Sequence, residues 1–180
     1  FSSFYTGAMA YAKNFSLADT YDKVPELVVI SPNDPQAMVN LAAECRARGI
    51  KFVADVGQQV PRLNGEQLRQ MIDGAYLLVV NNYESEMITN KTGLSLDDLR
   101  AQTELLVVTQ GKHGSHIYTN GEVIEVPVFT PSEIKDPTGV GDAYRSGLLT
   151  GISKGWDLKL AGEVGALCAT YVLEQVGTQS

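Results

Sequence analysis

The sequence predicts a three-layer α/β domain, a mostly parallel sheet with helices on both faces and one β-hairpin added. Three observations carry this. Short apolar runs recur at 26–30, 51–55, 76–80 and 104–109, the right length for buried strands and too short for helices. Helical spacing fills the stretches between them, which implies right-handed crossovers joining parallel strands. The period then changes at 114–126, where alternating residues flank Asn120-Gly121, a pair that favours a tight hairpin turn.

Each element has a local reason. Residues 1–20 are the least defined, and Gly7-Ala8-Met9-Ala10-Tyr11-Ala12 either closes a loop or begins a helix. Glu26-Leu27-Val28-Val29-Ile30 opens the core. Ser31-Pro32-Asn33-Asp34-Pro35 breaks it, with Asn33 or Asp34 as helix cap and Pro35 in the first turn. Met38, Leu41, Ala42 and Cys45 follow at helical spacing to Gly49, a C-terminal stop. Lys51-Phe52-Val53-Ala54-Asp55 is the second strand. A helix over 64–73 turns Leu68, Met71 and Ile72 inward. Tyr76-Leu77-Leu78-Val79-Val80 is the third strand, followed by two short helices at 82–91 and 95–102 with Thr92-Gly93 between them. Glu104-Leu105-Leu106-Val107-Val108-Thr109 is the fourth. Helices at 142–154 and 157–175 close the chain, joined at Gly155-Trp156-Asp157, where Asp157 caps the second.

Composition narrows the function. The 180 residues suit one domain with its own core, and 44% hydrophobic with 19% charged residues is ordinary for a globular chain. Net charge is −7 and no basic run occurs, which argues against nucleic acid as partner. No stretch is long enough to span a bilayer. Residues 1–4 carry no leader pattern, and Phe1 is not a natural start, so the chain is expected to be part of a longer protein. Cys45 and Cys168 sit in helical patterns. They read as two buried free thiols in a reducing, cytoplasmic setting, with a disulfide the open alternative.

The chemistry centres on Asp136-Pro137-Thr138-Gly139-Val140-Gly141-Asp142. Two glycines bracket a small apolar residue, and a helical pattern follows. A helix starting here points free N–H groups and the positive end of its dipole at the loop, which suits a phosphate. Asp142 is then a misplaced charge unless it accepts a proton or serves a metal. Two further polar clusters follow strands: Asn81-Asn82-Tyr83-Glu84-Ser85-Glu86 and Thr109-Gln110-Gly111-Lys112-His113-Gly114. Ligands of open parallel sheets bind at such strand ends.

These three segments, in this order and approximate spacing, resemble the ribokinase-like (PfkB) carbohydrate and nucleoside kinases. The loop is similar to the family signature that ends in the catalytic Asp. Asn81 to Glu84 is similar to its Asn-x-x-Glu element, and Thr109, Gly111 and Gly114 to its nucleotide loop. The likeness covers nearly the whole chain and corresponds to the C-terminal, nucleotide-binding part, so the lid and most acceptor contacts would lie before Phe1. It implies ATP as donor and Mg2+ as cofactor. Asp142 would be the base that takes the hydroxyl proton, and the amides of Gly139, Val140 and Gly141 the anion hole. Asn81, Thr109, Gly111, Lys112, His113, Gly114 and Gly141 would line the nucleotide site. Glu84 would serve Mg2+ through water. Asp136 and Thr138 match positions that hold a monovalent cation such as K+ in many members, although Pro137 departs from the pattern and removes one N–H. Homodimers are common in the class and form through the lid.

Phe4-Tyr5-x-Gly7-Ala8-Met9, Asp55-Val56-Gly57-Gln58-Gln59-Val60-Pro61 and the segment 169–179 look similar to bacterial adenosine-kinase-like members. Adenosine is therefore the leading acceptor, with purine salvage as the setting. A sugar kinase of the ribokinase or fructokinase type is the alternative, and a non-catalytic nucleotide-binding regulator is the reading from another class. Each motif also has a plain reading. Asn81 with Glu84 is by itself a helix cap, and Gly139-x-Gly141 a strand–helix turn. Lys112 and His113 read as solvated and His116 as lying sideways in a hairpin; Arg145 reads as an exposed surface arginine, with reach to a phosphate from the first helical turn as its alternative. Trp156 and Tyr171 read as packing residues, and Gly147 with Gly151 as a close helix contact. No third glycine follows at Tyr144, as a dinucleotide fingerprint would need. Zinc-ligand spacing and a nucleophile elbow are also lacking.

Overall fold

A computed structural model describes residues 5–20, 23–119 and 121–178. Asn120 of the hairpin turn, Phe4 and Gln179 of the adenosine-kinase-like segments, and residues 1–3 lie outside the described residues. Six strands form one sheet in chain order: β1 (Leu27–Ile30), β2 (Lys51–Ala54), β3 (Ala75–Asn81), β4 (Thr103–Thr109), β5 (Ser115–Thr119) and β6 (Glu122–Val126). β1 pairs β2 and β2 pairs β3 in parallel, while β5 and β6 are antiparallel. The chain divides into two compact units, Phe1–Leu106 and Val107–Ser180, with the boundary inside β4.

In the first unit the helices are α1 (Leu17–Thr20), α2 (Pro35–Arg48), α3 (Gly65–Ile72), α4 (Asn82–Thr92) and α5 (Leu96–Ala101). A 3-10 helix over Gly7–Asn14 settles the open reading of that stretch. At α2 the caps are those the sequence names. The Asp34 carboxylate accepts from the amides of Gln36 and Ala37, Pro35 opens α2, and Gly49 ends it in the left-handed region. Asn64 and Gln67 form a capping box at α3, and Leu68, Met71 and Ile72 are buried as expected. Lys91 on α4 donates its ammonium to the carbonyls of Val60, Pro61 and Leu63. That binds the 3-10 segment after β2 to α4.

The second unit holds the hairpin and two helices, α6 (Val140–Ser153) and α7 (Leu158–Leu173). Asp157 caps α7 by accepting from Lys159 and Leu160 amides. α6 and α7 meet through glycines. A Cβ on Gly147 would lie 2.7 Å from the Gly165 Cα, and one on Gly151 2.6 Å from the Ala161 Cβ. On Gly162 it would lie 2.7 Å from Val126, which seats α7 on the hairpin. Close helix packing was expected of Gly147 and Gly151; Gly162 and Gly165 complete it.

Two packing expectations need correction. Tyr171 is 61% exposed, because it falls on the face of α7 away from the hairpin and α6, and Cys168 is only half-buried. Both cysteines are free. Burial pushes the Cys45 thiol up to about 11, which suits a packing residue rather than a nucleophile. Among the described residues no helix is long and apolar enough to cross a membrane. Replacing Gly147 with Ala should destabilise the fold by about 1–3 kcal/mol through overpacking, measured by urea denaturation. An unchanged midpoint would mean that α6 and α7 are not held at glycine distance.

Candidate active site

α6 begins at Val140, earlier than the sequence spacing suggests. Gly139 is therefore its N-cap, at φ 84° in the left-handed region, and Asp142 falls in the first turn. Two constraints keep residue 139 a glycine. The positive φ is one. The other is Thr178, whose methyl carbon lies 2.9 Å from where a Cβ would stand. Ala143 donates the first helical hydrogen bond to the Gly139 carbonyl, and the Val140 amide makes a long 3.4 Å bond to Pro137. Among the described residues, no acceptor is found for the amides of Gly139, Gly141 and Asp142. Of the three predicted anion-hole amides, that of Val140 is thus partly engaged, while those of Gly139 and Gly141 have no acceptor among the described residues.

The loop before α6 is tied down by its own acid. Asp136 accepts from the Thr138 amide at 2.9 Å and from the Gly177 amide at 3.2 Å. Thr138, through side chain and then backbone, and the Gly177 amide hold its carboxyl below the usual carboxylate value. The Lys135 amide donates to the Leu173 carbonyl, and the Ser132 amide to Glu174. The segment 132–138 is thereby fastened to the end of α7. One carboxylate oxygen of Asp136 serves the loop itself and the other ties it to Gly177.

Asp142 stands 77% exposed in side chain, and Arg145 of the next turn donates Nη2 to its Oδ1. Arg145 is not the exposed surface arginine expected: its side chain is 17% exposed. A side chain on a helix points back toward the N-terminus, which carries the guanidinium over the first turn.

The nucleotide-loop residues close on themselves in the second unit. The Gln110 amide donates to the Gly114 carbonyl at 2.8 Å, and 111–113 form one 3-10 turn. Gly114 has φ 89°, and a Cβ there would strike the Val126 carbonyl. Lys112 and His113 are exposed, as read. His116 is half-buried, and its Nδ1 faces Gln110 Nε2 at 3.1 Å and the Tyr118 hydroxyl at 3.3 Å.

Sequence reasoning missed a buried pair. The hydroxyls of Ser115 and Tyr144 lie 2.7 Å apart, tying β5 to the first turns of α6. Burial raises the Tyr144 phenol further above its ordinary value. Nothing local announces this contact, because it joins residues far apart in the chain.

In the first unit, Asn81 and Glu84 form a reciprocal capping box at α4. Asn81 Oδ1 accepts from the Glu84 amide at 2.8 Å, and Glu84 Oε2 accepts from the Asn81 amide at 2.9 Å. The plain reading of this pair is therefore correct as structure. No donor to Glu84 Oε1 is found among the described residues. One oxygen thus remains for a hard cation or its water, a fit for Mg2+, which keeps most of its waters and takes few carboxylates.

The matched family model is the pfkB family carbohydrate kinase, over residues 4–180. The chain belongs to this family. It is 37% identical over 156 residues to a nucleoside kinase of Methanocaldococcus jannaschii, covering 86% of this chain and 51% of that protein. It is 32% identical over 180 residues to a nucleoside kinase of Methanothermobacter thermautotrophicus, covering 99% of this chain and 58% of that protein. The structure of Burkholderia thailandensis nucleoside kinase in complex with inosine is 32% identical, with a TM-score of 0.94 over 100% of this chain and 60% of that one. That likeness shows the ribokinase type of three-layer α/β fold. The chain spans little more than half the length of these relatives.

Replacing Tyr144 with Phe leaves the buried Ser115 hydroxyl without its partner. The expected cost is about 1–3 kcal/mol, seen in chemical denaturation. No loss would mean that the pair does not hold α6.

Proposed function

We propose that this chain is the nucleotide-binding and phosphoryl-transfer part of an ATP-dependent kinase whose acceptor is the primary hydroxyl of a nucleoside. The observation that carries it is the first turn of α6, where an exposed carboxylate stands beside backbone amides that have no acceptor among the described residues. A binder of nucleotide alone gains nothing from that carboxylate, which disfavours a regulator.

The acceptor oxygen attacks the γ-phosphorus, forming one O–P bond. The bond from phosphorus to the bridging oxygen breaks, and its electron pair leaves with ADP. The hydroxyl proton passes to the Asp142 carboxylate and later to water. Gly139 and Gly141 donate N–H groups toward the charge on the moving phosphoryl group. Asn81, Thr109, Gly111, Lys112, His113 and Gly114 contact the nucleotide. Glu84 would hold Mg2+ through water, and the metal, when bound, neutralises charge on the phosphates. Asp136 and Thr138 would hold K+; Asp136 can do so only with lone pairs left over from Thr138 and Gly177. Two free cysteines suit a cytoplasmic setting.

Adenosine leads as acceptor, with inosine beside it. Support comes from the nucleoside kinases above, from the Burkholderia thailandensis enzyme in complex with ADP-inosine, and from a 24% identical adenosine kinase of Saccharomyces cerevisiae.

In the full-length protein, Asp142→Asn should lower turnover by about 10²–10⁴-fold while ATP affinity stays close to wild type, read by coupled ADP release and calorimetry. Full activity in the variant would remove Asp142 as base. A screen of adenosine, inosine, ribose and fructose should favour the nucleosides; turnover of a hexose alone would overturn the acceptor.

A further inference from the structure

Arg145 has a placement that helix stability does not explain. Its guanidinium lies over the N-terminal turn of α6, the end where a cation opposes the dipole. A Cβ on Gly141 would stand 3.5 Å from Arg145 Nη1. One guanidinium nitrogen therefore lies beside Gly141 while the other, Nη2, reaches Asp142 Oδ1. A pair of the same spacing on α5, Asp97 with Arg100, gives the contrast. There the exposures are much the same, 29% for the arginine and 85% for the acid against 17% and 77% for Arg145 and Asp142, but Arg100 sits in the last turn of its helix, where a cation suits the dipole.

Only one carboxylate oxygen is taken. No donor to Asp142 Oδ2 is found among the described residues. An exposed carboxylate left alone rotates among its side-chain wells, and fixing it costs entropy. A planar guanidinium is a pre-organised donor and loses less freedom per bond than an ammonium.

We infer that Arg145 is a positioning residue: it holds Oδ1 of Asp142 so that Oδ2 is presented to the acceptor hydroxyl. This rests on the reading of Asp142 as the base. Arg145 acts through Asp142 and has no need to touch acceptor or nucleotide. Its removal therefore costs turnover and leaves ATP binding alone.

The experiment uses the full-length protein with Arg145→Gln, Arg145→Lys, Asp142→Asn and the Arg145→Gln/Asp142→Asn double variant. Arg145→Gln should lower kcat about 10–100-fold, with the KM for nucleoside and the affinity for ATP near wild type. Arg145→Lys should recover part of the loss. On Asp142→Asn, the Arg145→Gln change should add nothing, because the group it positions is no longer a base. An equal loss on both backgrounds would overturn the inference. A second readout needs no turnover: crystals of wild type should show Asp142 in one rotamer, and those of Arg145→Gln in several. One unchanged rotamer in Arg145→Gln would overturn the inference whatever the activity. Failure of the kinase reading shows elsewhere, as full activity of Asp142→Asn, so the two failures are distinguishable.

Discussion

The close approach of α6 and α7 sets the geometry of the second unit. Where Gly147 faces Gly165, backbone meets backbone, and a Cβ on Gly165 would stand 2.7 Å from the Tyr144 carbonyl. Packing at this distance is not adjustable, because interiors are dense and resist displacement. Tyr144 closely follows Asp142, so the contact fixes the rotation of α6 about its axis. That in turn fixes where the amides of its first turn point. Gly162 against Val126 and Ile117 seats α7 on the hairpin, and the Ser115–Tyr144 hydroxyl pair closes the circuit from β5 back to α6.

Several acids in this chain have structural work beside the chemical role proposed for them. Asp136 fastens Thr138 and Gly177, and Glu84 closes the capping box with Asn81. A carboxylate has two oxygens and about four lone-pair directions. It can satisfy a backbone donor and still face a cation or water. Asp142 differs. Among the described residues it satisfies no backbone amide, and the partner found for it is a movable side chain. An acid that ties down backbone is rigid and poorly placed to take a proton in turn, whereas one held by an arginine alone is positioned and still open.

Much of the fold was legible in the sequence, since what decides it lies within a few residues. Asp34 before Pro35, Gly49 after α2, and Asp157 before α7 act on their own neighbours, and strand length follows from unbroken apolar runs. The site was legible as motifs: Asp142 in an N-terminal turn, Gly139 and Gly141 before it, and two polar clusters after strands. The start of α6 was read two residues late, at Asp142 rather than Val140, because Val140 and Gly141 carry no helical pattern of their own.

The sequence by itself determined the class of the strands and main helices from residue 26 onward, several capping residues, and the family that the loop resembles, the elements being set by short-range sterics and hydrogen bonding. Only the tertiary structure decided that Thr178 closes over Gly139, that Ser115 meets Tyr144, that Tyr171 faces outward, and how far Arg145 is enclosed. Burial is a property of the packed surface, and the first two contacts join residues whose separation along the chain leaves no periodic trace. The Arg145–Asp142 pair stands between these cases. Its spacing was readable, but the spacing of a surface ion pair is the same, and only the position of the guanidinium beside Gly141, over the first turn of α6, tells the two apart.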